Sequence, residues 1–250
     1  MSRVVDACFR WRRAGLRRSP NPAEGWQRYL KKTDRHRTLG RGFIAAPGCL
    51  IIFVAAGLSL AFWFVEWTAL ALLGLAGAFF LVYFFRNPRR TIPDEEAAIV
   101  APADGKVIRV DELQETEFLH VPARRVAIFM NVFDVHVNRA PVAGRVVVSR
   151  HFPGRFLAAF KEAAERANER LATVLEMEDG RRVLVVQIAG LLARRIIVSV
   201  EEGEVLAQGE PFGMICFGSR VDLYLPLEAR VLVKVGDRVL AGESVVGRWT

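Results

Sequence analysis

"GMICFGSRVDLYLP", residues 213–226, places a bare Gly218-Ser219 between two runs that both read as β-strand. Met214, Ile215, Cys216 and Phe217 precede it. After it Val221, Leu223 and Leu225 alternate with Asp222 and Tyr224 up to Pro226, the period-2 pattern of a strand with one apolar face. An isolated Gly-Ser in that setting is ordinarily a tight turn or a glycine bulge. Whether it is only that depends on the rest of the chain.

Outward from this point, β-rich runs dominate residues 99–250: "KVIRV" (106–110), "RRVAIFMN" (124–131), "GRVVVSRHF" (144–152), "RRVLVVQIAG" (181–190) and "RRIIVSV" (194–200). "RFLAAFKEAAERANERL" (155–171), following Pro153-Gly154, predicts one helix. The expected fold is α+β with a mainly antiparallel β domain. "VEEGEVLAQGE" (200–210) aligns on "VKVGDRVLAGE" (233–243), matching Gly203 to Gly236 and Gly209 to Gly242, the spacing of carrier-like β-hairpin repeats such as lipoyl and biotinyl domains. No lysine stands at a matching hairpin tip, so this repeat speaks to architecture and not to chemistry.

Nearer the N-terminus, "FIAAPGCLIIFVAAGLSLAFWFV" (43–65) and "WTALALLGLAGAFFLVYFF" (67–85) carry no charge and flank Glu66. A span of about 20 such residues crosses a bilayer, so the pair predicts an N-terminal transmembrane helical hairpin. Basic residues precede it (Arg28, Lys31, Lys32, Arg35, Arg37, Arg41) and follow it (Arg86, Arg89, Arg90), which puts both ends on the cytoplasmic side. The expected organisation is a basic cytoplasmic arm (1–41), a membrane hairpin (42–86), a linker (87–98) and one domain (99–250). With 52% hydrophobic residues the chain is no disordered polymer. Its net charge of +8 is concentrated beside the apolar runs, where it fits anionic lipid, and no nucleic-acid motif accompanies it. Cys8, Cys49 and Cys216 have neither paired nor metal-like spacing, so neither a disulfide framework nor a metal site is expected.

Chemistry has three candidate stretches: "APADGKV" (101–107) with Asp104, "NVFDVHVNRAPVAG" (131–144) with His136, and Gly218-Ser219. An acid, an imidazole and a hydroxyl are what an activated serine needs, the imidazole taking the proton and the acid fixing its tautomer. Taken singly, Asp104-Gly105 also reads as a turn pair and His136 as a half-buried strand residue. A non-catalytic, membrane-anchored adaptor is the alternative these residues leave open.

Together with "FFRNPRR" (84–90), "HFPGRFLAAF" (151–160) and "CFGSRVDLYLP" (216–226), these stretches resemble the phosphatidylserine decarboxylases, particularly their short membrane-anchored form. The motifs run in the family's order from about the second apolar run to the C-terminus. The resemblance implies a proenzyme that cuts itself between Gly218 and Ser219, leaving chains 1–218 and 219–250 and converting Ser219 to a covalent pyruvoyl group. That cofactor would hold phosphatidylserine as a Schiff base while CO₂ leaves, giving phosphatidylethanolamine. It also implies activation of Ser219 by Asp104 and His136, with His136 as the acid that protonates the product. Where the longer branch of the family has a second histidine this chain has Arg139, which, with Arg155, becomes a candidate for the lipid phosphate or carboxylate. The implied location is the inner membrane of a bacterium, the domain facing the cytoplasm, with a mitochondrial inner membrane as the other setting. A related seryl lipid such as archaetidylserine is an alternative substrate, and self-association is left open.

Overall fold

Both apolar runs fold as helices, α1 (Ala46–Phe64) and α2 (Thr68–Phe84), joined by a turn in which Glu66 has φ 62°. The computed structural model describes residues 42–157, 159, 164–191, 196–216 and 219–250, so the basic arm and Gly218 lie outside the described residues. Pro47 stands in the first turn of α1, where a missing N–H breaks no helical bond. At 1.5 Å per residue the 19 residues of α1 extend about 28 Å; α2 is 17 residues long. The two helices run antiparallel and meet along small residues: Gly48 abuts the Phe85 ring, and Ser59 lies against Gly74 and donates from Oγ to the Ala71 carbonyl at 2.5 Å. Their large side chains point outward; Leu50, Phe53, Phe64, Leu73 and Phe79 are each about two-thirds exposed or more.

The remaining chain is almost wholly antiparallel β. Its strands are β1 (Ala98–Val100), β2 (Gly105–Glu115), β3 (Val121–Met130), β4 (Val137–Arg139), β5 (Gly144–Phe152), β6 (Arg170–Glu176) and β7 (Arg182–Ile188). Then follow β8 (Ile196–Val198), β9 (Val205–Leu206), β10 (Pro211–Ile215), β11 (Ser219–Pro226), β12 (Ala229–Val231), β13 (Arg238–Val239) and β14 (Val245–Trp249). An eight-stranded sheet has the order β13-β2-β3-β11-β7-β6-β5-β9, and two three-stranded sheets have the orders β1-β14-β12 and β4-β10-β8. Val221, Leu223 and Leu225 of β11 enter a core shared with Ile99, Phe212 and Val246. The opposite face of β11 is buried too, because its charges are paired there. Arg220 holds both oxygens of Asp222 at 2.6 and 2.7 Å, and Glu165 of α3 (Ala164–Ala167) bridges Arg220 to Arg125.

The expected helix over 155–171 is corrected by the structure. Arg155 forms a backbone bridge with Asn168, only Ala164–Ala167 is helical among the described residues there, and Arg170 and Leu171 already belong to β6. A buried Asn168 explains the change. Its Oδ1 accepts the Leu157 N–H at 2.8 Å, and its Nδ2 donates to the carbonyls of Leu157 and Ala189, both at 2.8 Å. These bonds tie the segment's ends to each other and to the exit of β7, overriding helix propensity.

Gly203 and Gly236 turn with φ 93° and 102°, and Gly209 and Gly242 with φ 73° and 78°. Gly203 N–H donates to Val146 and Gly236 N–H to Val107, each at 2.8 Å; Gly209 donates to Ala140 and Gly242 to Ala101, at 2.8 and 2.9 Å. Strands β9 and β13 then pair with the starts of β5 and β2. "APADGKV" (101–107) and "APVAGRV" (140–146) therefore occupy equivalent places, with Asp104 in one where Ala143 stands in the other.

Asn168→Ala leaves two buried carbonyls and one N–H without their partner, and a loss of about 2–4 kcal/mol is expected. Denaturant unfolding in detergent measures it. Asn168→Asp, which keeps the acceptor, should fall between the two, and an unchanged midpoint in both would show that these bonds do not hold the segment.

Candidate functional site

Ser219 is the first residue of β11, pairing with Met130 of β3, while Arg220 pairs with Ile188 of β7. A position flanked by two strands is closed to water, and the Ser219 hydroxyl is fully buried with no hydrogen-bond partner among the described residues. Gly218, the other half of the expected cleavage bond, lies outside the described residues.

His136 comes to the same end of the fold from the 131–136 connection. Met130, the cross-strand neighbour of Ser219, leads directly into that connection. Its shape is set locally: Asn131 Oδ1 accepts the Phe133 N–H at 2.8 Å and Asp134 Oδ2 accepts the Asn131 N–H at 2.9 Å. Beyond it Val137 pairs with Met214, and the His136 carbonyl accepts the Ile215 N–H at 3.3 Å, four residues before Ser219. The imidazole is fully buried, with the Phe84 ring 4.3 Å away centre to centre. Its Nδ1 lies 2.9 Å from the Asp134 carbonyl, an atom that can only accept, so Nδ1 carries the hydrogen and Nε2 the lone pair. Nε2 has no partner. Burial pushes this histidine down to about 4, which keeps it neutral near pH 7. The site thus contains a buried base with a free lone pair and a buried hydroxyl with a free proton.

Asp104 lies just before β2, where Arg90 Nη2 meets its two oxygens at 2.9 and 2.7 Å and the Ala241 N–H donates at 2.7 Å. Burial raises its carboxyl above the ordinary range, and these donors oppose the rise. Asp104 makes no hydrogen bond to His136; the Asp134 backbone carbonyl fixes the tautomer. Arg139 is buried, with Nη1 on the Gly209 carbonyl at 3.0 Å and Nη2 on Asn87 Oδ1 at 2.6 Å and the Pro88 carbonyl at 3.0 Å. Arg155 is exposed, at the Asn168 bridge.

Four contributors escaped the sequence reading. Arg86 and Arg90 read as charges flanking a membrane span, yet Arg86 donates to the Phe133 carbonyl at 2.7 Å and Arg90 carries Asp104. Phe84 read only as part of the second apolar run and of "FFRNPRR", and it packs against His136. Gln187, opposite Val221 in the strand pairing, donates to Asn138 Oδ1 at 2.7 Å and leaves its own Oε1 buried without a partner.

A histidine held below its unfolded value gives stability that is complete above about pH 6.5 and is lost as pH falls toward 4, because the unfolded chain takes up its proton first. Asp222, which burial raises to about 6, works in the opposite sense, so the measurement is the difference between the wild type and His136→Gln. That difference should change by about 3 kcal/mol between pH 7 and pH 4. Histidine NMR of an uncut Ser219→Ala chain should place the His136 midpoint near 4; a midpoint near 6.5 would contradict its burial.

Residues 78–247 match the family model described as phosphatidylserine decarboxylase. A phosphatidylserine decarboxylase proenzyme of Syntrophus aciditrophicus is 49% identical over 209 residues, covering 83% of this chain and 98% of that one. The corresponding proenzyme of Symbiobacterium thermophilum is 46% identical over 209 residues (83% and 96%), and that of Pelobacter propionicus 51% over 169 residues (68% and 76%). By this extended similarity the chain belongs to the phosphatidylserine decarboxylase family.

Proposed function

We propose that this chain is a self-processing proenzyme whose Ser219 becomes a pyruvoyl group and which decarboxylates phosphatidylserine to phosphatidylethanolamine. The observation that carries the reading is the pair of buried, unpartnered atoms, Ser219 Oγ and His136 Nε2, at one end of the sheet. A hydroxyl without a partner in a dry interior is costly as a mere structural residue and apt as a nucleophile.

His136 Nε2 takes the hydroxyl proton as Ser219 Oγ adds to the Gly218 carbonyl, and the Gly218 acyl group passes from nitrogen to oxygen. Loss of the Cα proton of residue 219 then breaks the Cβ–Oγ bond, freeing the Gly218 carboxylate as the end of the large chain. Water replaces the nitrogen of the resulting dehydroalanine, which leaves as ammonia. The pyruvoyl group supplies an electron sink for the bond to CO₂. His136 Nε2 would pass the hydroxyl proton to the nitrogen released in the acyl shift, and in turnover it would have to be protonated again, behind the Phe84 ring, before giving a proton to the product carbon. Asp104 acts as a fixed negative charge close enough to interact with Asp134, and so with the loop that carries His136.

Arg139 serves in this reading as a brace. Its N–H groups are taken by Asn87, Pro88 and Gly209, although its buried Nε is free. Arg155 is the better candidate for the lipid phosphate. It is exposed, and its bridge partner Asn168 bonds the Ala189 carbonyl just past Ile188, the neighbour of Arg220. The outward apolar faces of α1 and α2 fit a bilayer, with the hairpin's ends and the site on the cytoplasmic side, where a lipid head group is met.

The small chain 219–250 would begin with β11, which is bonded to β3 along its whole length and to β7 from Arg220 to Tyr224. Cleavage therefore separates no structure, and the two chains should co-purify. Intact mass spectrometry of freshly made protein should show a cut after Gly218 and a pyruvoyl-blocked chain of 250 − 218 = 32 residues. Ser219→Ala should stay uncut and convert no phosphatidylserine, and His136→Ala should slow cutting by about 100-fold or more. An uncut, inactive wild type would overturn the reading.

A further inference from the structure

We infer that the seven residues leaving the second apolar helix, Phe84–Arg90, form a strap that positions the self-processing site, with Arg90 acting through Asp104. The inference rests on the proposed function and adds positioning residues to it.

Three contacts carry it, each from a different residue of the strap to a different part of the site. Phe84 lies against His136 at 4.3 Å between ring centres. Asn87 Oδ1 receives Arg139 Nη2 at 2.6 Å. Arg90 Nη2 meets both oxygens of Asp104, with the two side chains equally buried at 7% exposure, and Arg90 Nη1 reaches Glu243 at 3.5 Å. Two further bonds hold the His136 loop: Tyr83 Oη at 3.1 Å and Arg86 Nη2 at 2.7 Å both donate to the Phe133 carbonyl.

The strap's own position depends on both helices. Ala45 N–H donates to the Phe85 carbonyl at 2.8 Å, Asn87 N–H donates to the Phe43 carbonyl, and Ile44 bridges to Arg86. Phe84 and Phe85 share a buried cluster with Ala45, Val135, Val137, Met214 and Cys216, the residues around His136 and at the end of β10. The strap therefore falls into place only when the entry of α1 and the exit of α2 have come together. In this arrangement site assembly follows helix pairing.

Arg90 does not touch the hydroxyl or the imidazole, so it is a positioning residue. Arg90 Nη2 bridges both oxygens of the buried Asp104 carboxylate; without it the carboxylate keeps, among the described residues, only the Ala241 N–H and can rotate. Misplacement on the scale of 1 Å costs about 100-fold in well-aligned reactions.

The test follows the appearance of the 32-residue chain after full-length protein is synthesised into lipid nanodiscs, for wild type, Arg90→Ala, Arg90→Lys, Asp104→Ala and the Arg90→Ala/Asp104→Ala pair. Arg90→Ala should slow cutting by about 10- to 100-fold. Arg90→Lys should recover part of the rate, and the double variant should be no slower than Asp104→Ala alone. Melting of each variant in an uncut Ser219→Ala background separates slowed cutting from failed folding, and Arg90→Lys carries the test if Arg90→Ala does not fold. Cutting of Arg90→Ala at the wild-type rate, or a double variant slower by the product of the two single effects, would overturn the inference. Failure of the wild type to cut would overturn the function on which it rests.

Discussion

One constraint governs the rest of this structure: β11 is a central strand and also begins with Ser219, the residue proposed to react. Paired to β3 and β7, it has no free edge, so its backbone groups are satisfied and its first side chain is carried into a dry interior. The sheet's connectivity decides which of the described protein groups lie at that end with the Ser219 hydroxyl. Strand β3 ends at Met130 beside Ser219 and gives way to the loop with His136, while β10 ends four residues before Ser219 and is tied to the His136 carbonyl.

The same dryness decides the state of the imidazole. Burial keeps His136 neutral near pH 7 beside the Phe84 ring, and the Asp134 carbonyl selects the tautomer. A backbone carbonyl does this without bringing a second charge beside the ring. Asp104 is thereby released from the role of tautomer holder. Its carboxylate is spent instead on Arg90 and the Ala241 N–H, linking the segment behind α2 to the β domain.

Much of this was legible in the sequence, and the losses have physical causes. Strand β5 was read with its observed ends, since "GRVVVSRHF" is β-branched and bounded by glycine and proline. Ser219, His136 and Asp104 were picked out as residue types at turns and strand ends, and that much needs no three-dimensional knowledge. The helix over 155–171 was misread because its apolar spacing is helical, while the deciding residue, Asn168, acts through bonds to Leu157 and Ala189 that no local pattern contains. Arg170 and Leu171, the start of "RLATVLE", were absorbed into that error, and the rest of the strand was not read although Thr173 and Val174 favour one. Arg90 was misjudged because a basic residue after an apolar run has a ready explanation in membrane topology, and its pairing with a carboxylate 14 residues away appears only in the fold.

The equivalence of "APADGKV" and "APVAGRV" was also present in the letters, and it shows why the site is one-sided. Each segment enters a long strand through a glycine, accepts the N–H of two turn glycines and pairs with a two-residue strand. Backbone geometry alone would make the two ends alike. Glycine is needed in both for close approach: at Gly105 a Cβ would stand 2.2 Å from the Phe129 carbonyl oxygen, and at Gly144 2.8 Å from that of Glu176. What differs is the residue just before. Asp104 needs a buried cation, which the strap behind α2 provides as Arg90, whereas Ala143 needs none and lines an open cleft with Glu95 and Gln208. The charged copy is therefore the one tied to the segment behind α2, at the end of the sheet where Ser219 and His136 lie.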